Sequence, residues 1–192
     1  MPLTIRSARA SAPKAQKGSL RSGSVDVVSA GRGQEKVLLI SYKASRGVDG
    51  FVQEVRAATP FQIVETERHG IAGPFVKDLS KRLNIPASQM FRILGLPKAT
   101  AEKKAATGES ITGSAGQSAI GVVKLLGLAQ DIVADSKAED AKGFDAGRWL
   151  GVWLEHPQPA LGGRRPSELL DTPTGLEVVT RLLGSLRSGA YQ

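Results

Sequence analysis

Residues 117–133 carry Ile120, Val122, Val123, Leu125, Leu126, Leu128, Ile132 and Val133. Wound as a helix, these side chains project nearly all round the axis rather than along one stripe. A helix that is apolar on every side has to lie inside a fold, with other elements packed around it. This one segment therefore calls for a layered helical assembly, and the rest of the chain has to supply the cover.

The cover can be read from helical spacing and from stop signals. Val76, Leu79 and Leu83 recur at three and four residues, which predicts a helix from Pro74 that ends at Asn84-Ile85-Pro86. Ser88 is the expected N-cap of a helix over 89–94. Gly95 closes it, Leu96-Pro97 makes a tight turn, and the good helix formers of 98–106 predict a third helix. Residues 108–116 are rich in Gly, Ser and Thr and read as a link. Beyond the central segment, 135–143 reads as a charged loop. A helix over 144–155 follows, with Ala146, Trp149, Leu150 and Trp153 on one face, stopped by Pro157 and Pro159. Pro166 opens a short helix through Leu170. Thr172-Pro173 starts the last helix, whose broad apolar face is Leu176, Val178, Val179, Leu182, Leu183 and Leu186, ending at Gly189. Near the other end, 37–42 (VLLISY) is either a strand or a buried extended segment, and 51–58 forms one or two helical turns before Pro60. The expected fold class is all-α.

Aromatic residues are only 5% of the chain, so Leu, Ile, Val and Ala are expected to fill the core. The absence of cysteine excludes disulfides and thiolate metal sites and points to a reducing compartment. No apolar run approaches the roughly 20 residues that span a bilayer, and Arg6 and Arg9 are not followed by the apolar core of a secretory signal. A cytoplasmic protein without a membrane partner is expected. The net charge of +8 is uneven. Residues 1–58 hold ten Lys/Arg against four Asp/Glu, 59–142 eleven against nine, and 143–192 five against five. The low-complexity basic residues of 1–35 predict a largely disordered arm. Such an arm either attracts phosphates or is a solvated tail, open to proteases or folding on a partner. The chain divides into a basic extension (1–58), a helical middle region (59–142) and a C-terminal helical module (143–192).

Enzymatic chemistry finds little support. The two histidines, His69 and His156, have no second ligand at helical spacing, and no nucleophile elbow or phosphate loop occurs. No catalytic residue, metal or cofactor is expected. The helices at 89–94 and 98–106, joined through Gly95, have the layout of a helix–turn–helix. In that reading Gln89, Lys98, Thr100, Lys103 and Lys104 would face DNA, the lysines on phosphate and Thr100 on phosphate or base. The other reading is an ordinary packed helix pair with a wet basic face.

The C-terminal residues are more specific. Trp149 and Leu150, Pro157 and Pro159, Leu161-Gly162-Gly163, Pro166 with Leu169 and Leu170, Thr172, Gly175, Val179, Leu182-Leu183-Gly184, and finally Gly189 and Tyr191 occur in order over about 45 residues. This string resembles the toxin-binding domain of the MbcA/ParS/Xre antitoxin family. Residues 61–134 resemble, more loosely, the family's Xre-like helix–turn–helix part. There the usual arginine-rich start of the recognition helix is replaced by Lys98-Ala99-Thr100-Ala101-Glu102. The resemblance implies a type II antitoxin whose partner is a RES-type toxin, an enzyme that degrades NAD or transfers ADP-ribose. Neutralisation would come from covering the toxin's NAD pocket. It also implies a homodimer within a larger toxin–antitoxin complex, and repression of the antitoxin's own operon by binding operator DNA. The residues expected at the toxin are Leu161, Gly162, Gly163, Arg164, Arg165, Pro166, Arg187, Gly189 and Tyr191. Arg and Tyr among them are frequent interface anchors, and a guanidinium suits acidic or phosphate-binding groups. A helical scaffolding protein without a toxin is the remaining alternative.

Overall fold

The computed structural model describes residues 26–27, 38–136 and 143–187. Strands β1 (Asp26–Val27) and β2 (Leu38–Leu39) pair antiparallel, Asp26 opposite Leu39. Of the VLLISY segment, Leu38 and Leu39 form the strand, and Ile40 to Tyr42 carry no regular structure. A single 3-10 turn (Ala44–Arg46) leads into α1 (Gly47–Ala57). This helix starts four residues earlier than expected, because Val48 joins Phe51, Val52 and Val55 on the buried face.

The next helix, α2 (Pro60–His69), is not marked by apolar periodicity. Its start is set by a capping box instead. Thr59 Oγ1 accepts from Gln62 N, and Gln62 Oε1 accepts from Thr59 N at 2.9 Å, with Pro60 in the first turn. Strand β3 (Ile71–Ala72) leads to α3 (Pro74–Arg82), α4 (Ala87–Ile93) and α5 (Lys98–Thr107), and β4 (Ser110–Ile111) pairs back with β3. The chain reverses after α3 through Asn84 (φ 54) and after α4 through Gly95 (φ 66), both in the left-handed region. The cap of α4 is Pro86, and Ser88 sits inside the helix. Proline fixes the extended entry without a side-chain bond. Gly73 N donates to Glu109 O at 2.9 Å, so the two ends of this three-helix unit are laced together.

The all-round apolar segment is α6 (Gly113–Asp135), which also absorbs the Gly/Ser residues from 113 to 116 that read as a link. Gly116 is needed there because a Cβ would lie 2.8 Å from Ile111 O. Helices α1, α2, α7 (Ala146–Glu155) and α8 (Pro173–Arg187) pack around α6. Ile120, Val122, Val123, Leu125 and Leu126 are fully buried. Among the described residues, α6 is long and apolar enough to cross a bilayer by length and composition, contrary to the estimate from apolar runs. Four packed helices and an ion pair from its Lys124 to Glu67 account for that apolar character within the fold. The core is also more aromatic than composition suggested. Phe51, Phe75 and Tyr42 meet edge to face at 4.8–5.9 Å, and Tyr42 donates to Asp78 at 2.7 Å. One apolar cluster runs from Val48 to Leu183, so the expected all-α class is the observed one. Apart from β1, the expected basic arm of residues 1–35 falls outside the described residues, as does most of the charged 135–143 loop, Asp135 itself ending α6.

Candidate functional site

The C-terminal module is fastened to the rest of the fold at the start of α7. Asp145 caps that helix, accepting from Gly147 N at 3.0 Å and Arg148 N at 3.1 Å. The same carboxylate accepts from the Arg82 guanidinium at 2.6 Å, and Arg82 Nε reaches Asp49 at 2.8 Å. Gln130 Nε2 donates to Asp49 from α6 at 2.8 Å. One arginine therefore gathers α1, the end of α3 and the cap of α7. The Arg82 hydrogen bond, with help from Arg148 N–H, holds the Asp145 carboxyl below the usual carboxylate range. Close backbone approach does the rest. A Cβ on Gly147 would overlap the Arg82 guanidinium, and one on Gly151 would overlap Leu83 O.

After α7 the chain makes a closed reversal. Gln158 N donates to Arg164 O at 2.9 Å and Gly163 N to Gln158 O at 3.0 Å. Gly162 (φ 64) and Gly163 (φ 79) supply left-handed conformations that other residues rarely adopt. A 3-10 turn at Pro166–Leu169 replaces the short helix expected there, and Leu170 is fully buried behind it. Thr172 Oγ1 accepts from Gly175 N at 3.1 Å, the hydroxyl cap that Thr172-Pro173 predicts. Val179 and Leu183 are fully buried, whereas Val178, expected on the same face, is exposed. It stands about 100° round the helix from Val179.

The residues expected at the toxin are not one surface of equal exposure. Gly162, Gly163, Arg164 and Arg165 are exposed on the reversal, Leu161 is half-buried, and Pro166 is buried beneath them. Arg165 pairs with Glu155 at 3.4 Å. Arg187 pairs with Asp135 at the end of α6. Gly189 and Tyr191 lie outside the described residues. Arg165 and Glu155 also line a cavity of about 200 Å³ with Gln89, Arg92, Glu168 and Asp171. Gln89, half-buried, therefore turns toward the C-terminal module. Of the other residues expected at DNA, Lys98, Thr100 and Lys103 are exposed on α5. Lys98 lies 3.9 Å from Glu102, and Lys104 donates to Ser110 O at 2.6 Å, holding β4. Ala101 anchors this helix in the core.

Helical spacing placed Ala146, Trp149, Leu150 and Trp153 on one face of α7. Ala146 and Leu150 are buried, together with Gly147, Gly151 and Leu154, while the two indoles are half-exposed at the edge of that face and pack partly against the core. The small residues decide this, since only glycine permits the approach to Leu83. Phe144 and Val152, exposed beside the two indoles, were not singled out by spacing. Their signal is their position off the Ala146–Leu150–Leu154 stripe. The two histidines sit at helix ends, His69 Nδ1 donating to Glu65 O and His156 Nδ1 to Val152 O, each at 2.8 Å.

Residues 144–189 match the antitoxin Xre/MbcA/ParS C-terminal toxin-binding domain. Over 134 residues the chain is 38% identical to a protein of Sphingobium sp. (strain YBL2) named Prs ADP-ribosylating antitoxin. That alignment covers 70% of this chain and 83% of the relative. This chain belongs to the Xre/MbcA/ParS antitoxin family. A second relative of the antitoxin, Antitoxin Xre of Yersinia enterocolitica serotype O:8 / biotype 1B (strain NCTC 13174 / 8081), is 23% identical over 129 residues. Those are 67% of this chain and 80% of that protein. The antitoxin's matched interval begins at Phe144, next to the Asp145 cap, and takes in α7, the glycine reversal and all of α8. A toxin is thus the partner of this module.

Proposed function

We propose that the antitoxin neutralises a RES-type toxin, one that consumes NAD or transfers ADP-ribose, by covering its active site. The match of residues 144–189 to a toxin-binding domain carries this reading. The Sphingobium relative, named for ADP-ribosylation, supports the chemistry of the partner. In this reading the antitoxin acts by occupying a surface, without a catalytic residue or cofactor of its own. Residues 143–192 form the binding module and 59–142 the Xre-like region that carries it, preceded by the 1–58 extension. The exposed reversal offers Arg164, which makes no ion pair among the described residues, to acidic groups of the toxin. The setting is the cytoplasm, and the working form a homodimer within the toxin complex.

The test is co-expression with the adjacent reading frame, scoring growth and cellular NAD, followed by co-purification. Rescue of growth with a stable complex is the expected result. A toxic neighbour that is neither bound nor silenced would overturn the proposal.

A second activity, repression of the antitoxin's own operon, is favoured by the exposure of Lys98, Thr100 and Lys103 along one helix. Binding to its promoter should weaken steeply with salt, and replacing both lysines by alanine should flatten that salt dependence. No shift at low salt, with or without toxin, would remove this activity.

A further inference from the structure

The chain has two tryptophans, and both stand on one flank of α7. Their rings stack at 6.3 Å with an interplanar angle of 22°. Phe144 extends the row, its ring 6.4 Å from that of Trp149. Val152 stands beside them on the same side of the helix, 51% exposed, and Phe144 is 46% exposed. Phe144 and Val152 are exposed and the two indoles half-exposed, their inner sides packed on the core, and such a contiguous patch is unlike the single exposed apolar residues found over any protein surface. The platform is also rigid. The opposite face of α7 has Leu150 and Leu154 fully buried, its N-terminus is held by Asp145 and Arg82, and Gly151 lies against the Leu83 carbonyl. Aromatic anchors fixed before contact lose little freedom on binding, and tryptophan is the residue most enriched where interface energy concentrates.

We infer that the Phe144–Trp149–Val152–Trp153 flank of α7 is the antitoxin's anchoring surface for its toxin, seating in an apolar depression with an acidic rim. This deepens the proposed function and rests on it. The toxin is chosen as occupant because all four residues fall inside the matched toxin-binding interval. The exposed apolar pair Phe61 and Val64 on α2 falls outside it. The acidic rim follows from Arg148, one turn before Val152, exposed and without an ion pair among the described residues. The arginines of the 162–165 reversal would then guide and orient the complex, while the indoles supply most of its lifetime.

The experiment uses the full-length chain and the purified toxin encoded beside it. Val152→Glu alters a side chain that is 51% exposed, and an unchanged urea midpoint checks that the fold is kept. It should weaken toxin binding at least tenfold, and adding Phe144→Ser should weaken it further. Val64→Glu on α2 should leave affinity unchanged. In parallel, the antitoxin labelled with 5-fluorotryptophan gives two fluorine resonances, both of which should move when unlabelled toxin is added. Wild-type affinity retained by Val152→Glu, with both resonances unmoved, would overturn the anchoring surface and leave the antitoxin function intact. Failure of the wild-type chain to bind the toxin would overturn both. Resonances that shift with antitoxin concentration alone would reassign the flank to a second copy of this chain.

Discussion

Replacing Gly151 by alanine adds one methyl group where α7 crosses the turn after α3. A Cβ there would overlap the Leu83 carbonyl oxygen, lie 3.0 Å from its carbon, and come 3.3 Å from Ile85 Cγ1. The obstacle is backbone, and Leu83 is itself fully buried, so neither side can swing away. Helix propensity works the other way, since alanine is favoured over glycine in a helix interior by about 1 kcal/mol. Overpacking a close contact costs about 1–3 kcal/mol, with rigid neighbours toward the top of that range. The net expectation is a loss of about 1–2 kcal/mol, a large fraction of the stability of a domain this size. Gly184 provides the control. It lies inside α8 with no atom near its would-be Cβ, so Gly184→Ala keeps the propensity gain alone and should stabilise by about 0.5–1 kcal/mol. Urea unfolding followed by circular dichroism at 222 nm reads both. The midpoint should fall for Gly151→Ala and rise for Gly184→Ala. A Gly151→Ala chain as stable as wild type would refute the claim that close approach to Leu83 fixes the seat of α7.

Further expectations concern charge and caps. Asp145→Asn keeps a capping side chain but removes the charge that faces Arg82. The carboxyl's folded pKa is depressed by that bond, so its contribution is present above the unfolded value near 4 and lost as pH falls through the folded one. The wild-type advantage in urea midpoint should therefore hold at pH 6 and fade below about pH 4. Tyr42 is shifted upward by burial first and by its bond to Asp78 second. In a Tyr191→Phe background the phenolate absorbance at 295 nm should rise later than for free tyrosine, and the associated stability, full below about pH 10, should decline above it. Early ionisation would mean that the Asp78 bond does not persist in solution. Thr59→Ala removes half of the α2 capping box and should cost about 1 kcal/mol in the same urea assay.

The architecture was legible wherever burial imposed a period. The α6 segment, the Val76–Leu79–Leu83 stripe and the Thr172-Pro173 start all announce themselves, because apolar cover and hydroxyl caps leave fixed spacings. Helix α2 was missed since only Ile63 and Thr66 of its ten residues are buried, and its signature lies in Thr59 and Gln62 rather than in a stripe. The facing of α7 was legible only in part, for a related reason. Spacing weighs large apolar side chains, whereas contact with Leu83 is decided by what Gly147 and Gly151 lack. The reversal at Gly162 and Gly163 could be read from glycine alone. The meeting of Asp49, Arg82, Gln130 and Asp145 could not, since nothing local links positions so far apart in the chain.

The way α6 is covered also bears on how the protein comes into being at the ribosome. Two of its four neighbours, α7 and α8, are synthesised last, and Gly121 is seated directly against Leu176 of α8. A nascent chain that has completed α6 carries its most water-averse segment with one side bare. Closure arrives only with the residues that also recognise the toxin. The cover of α6 and the interval that matches the toxin-binding domain are therefore completed together.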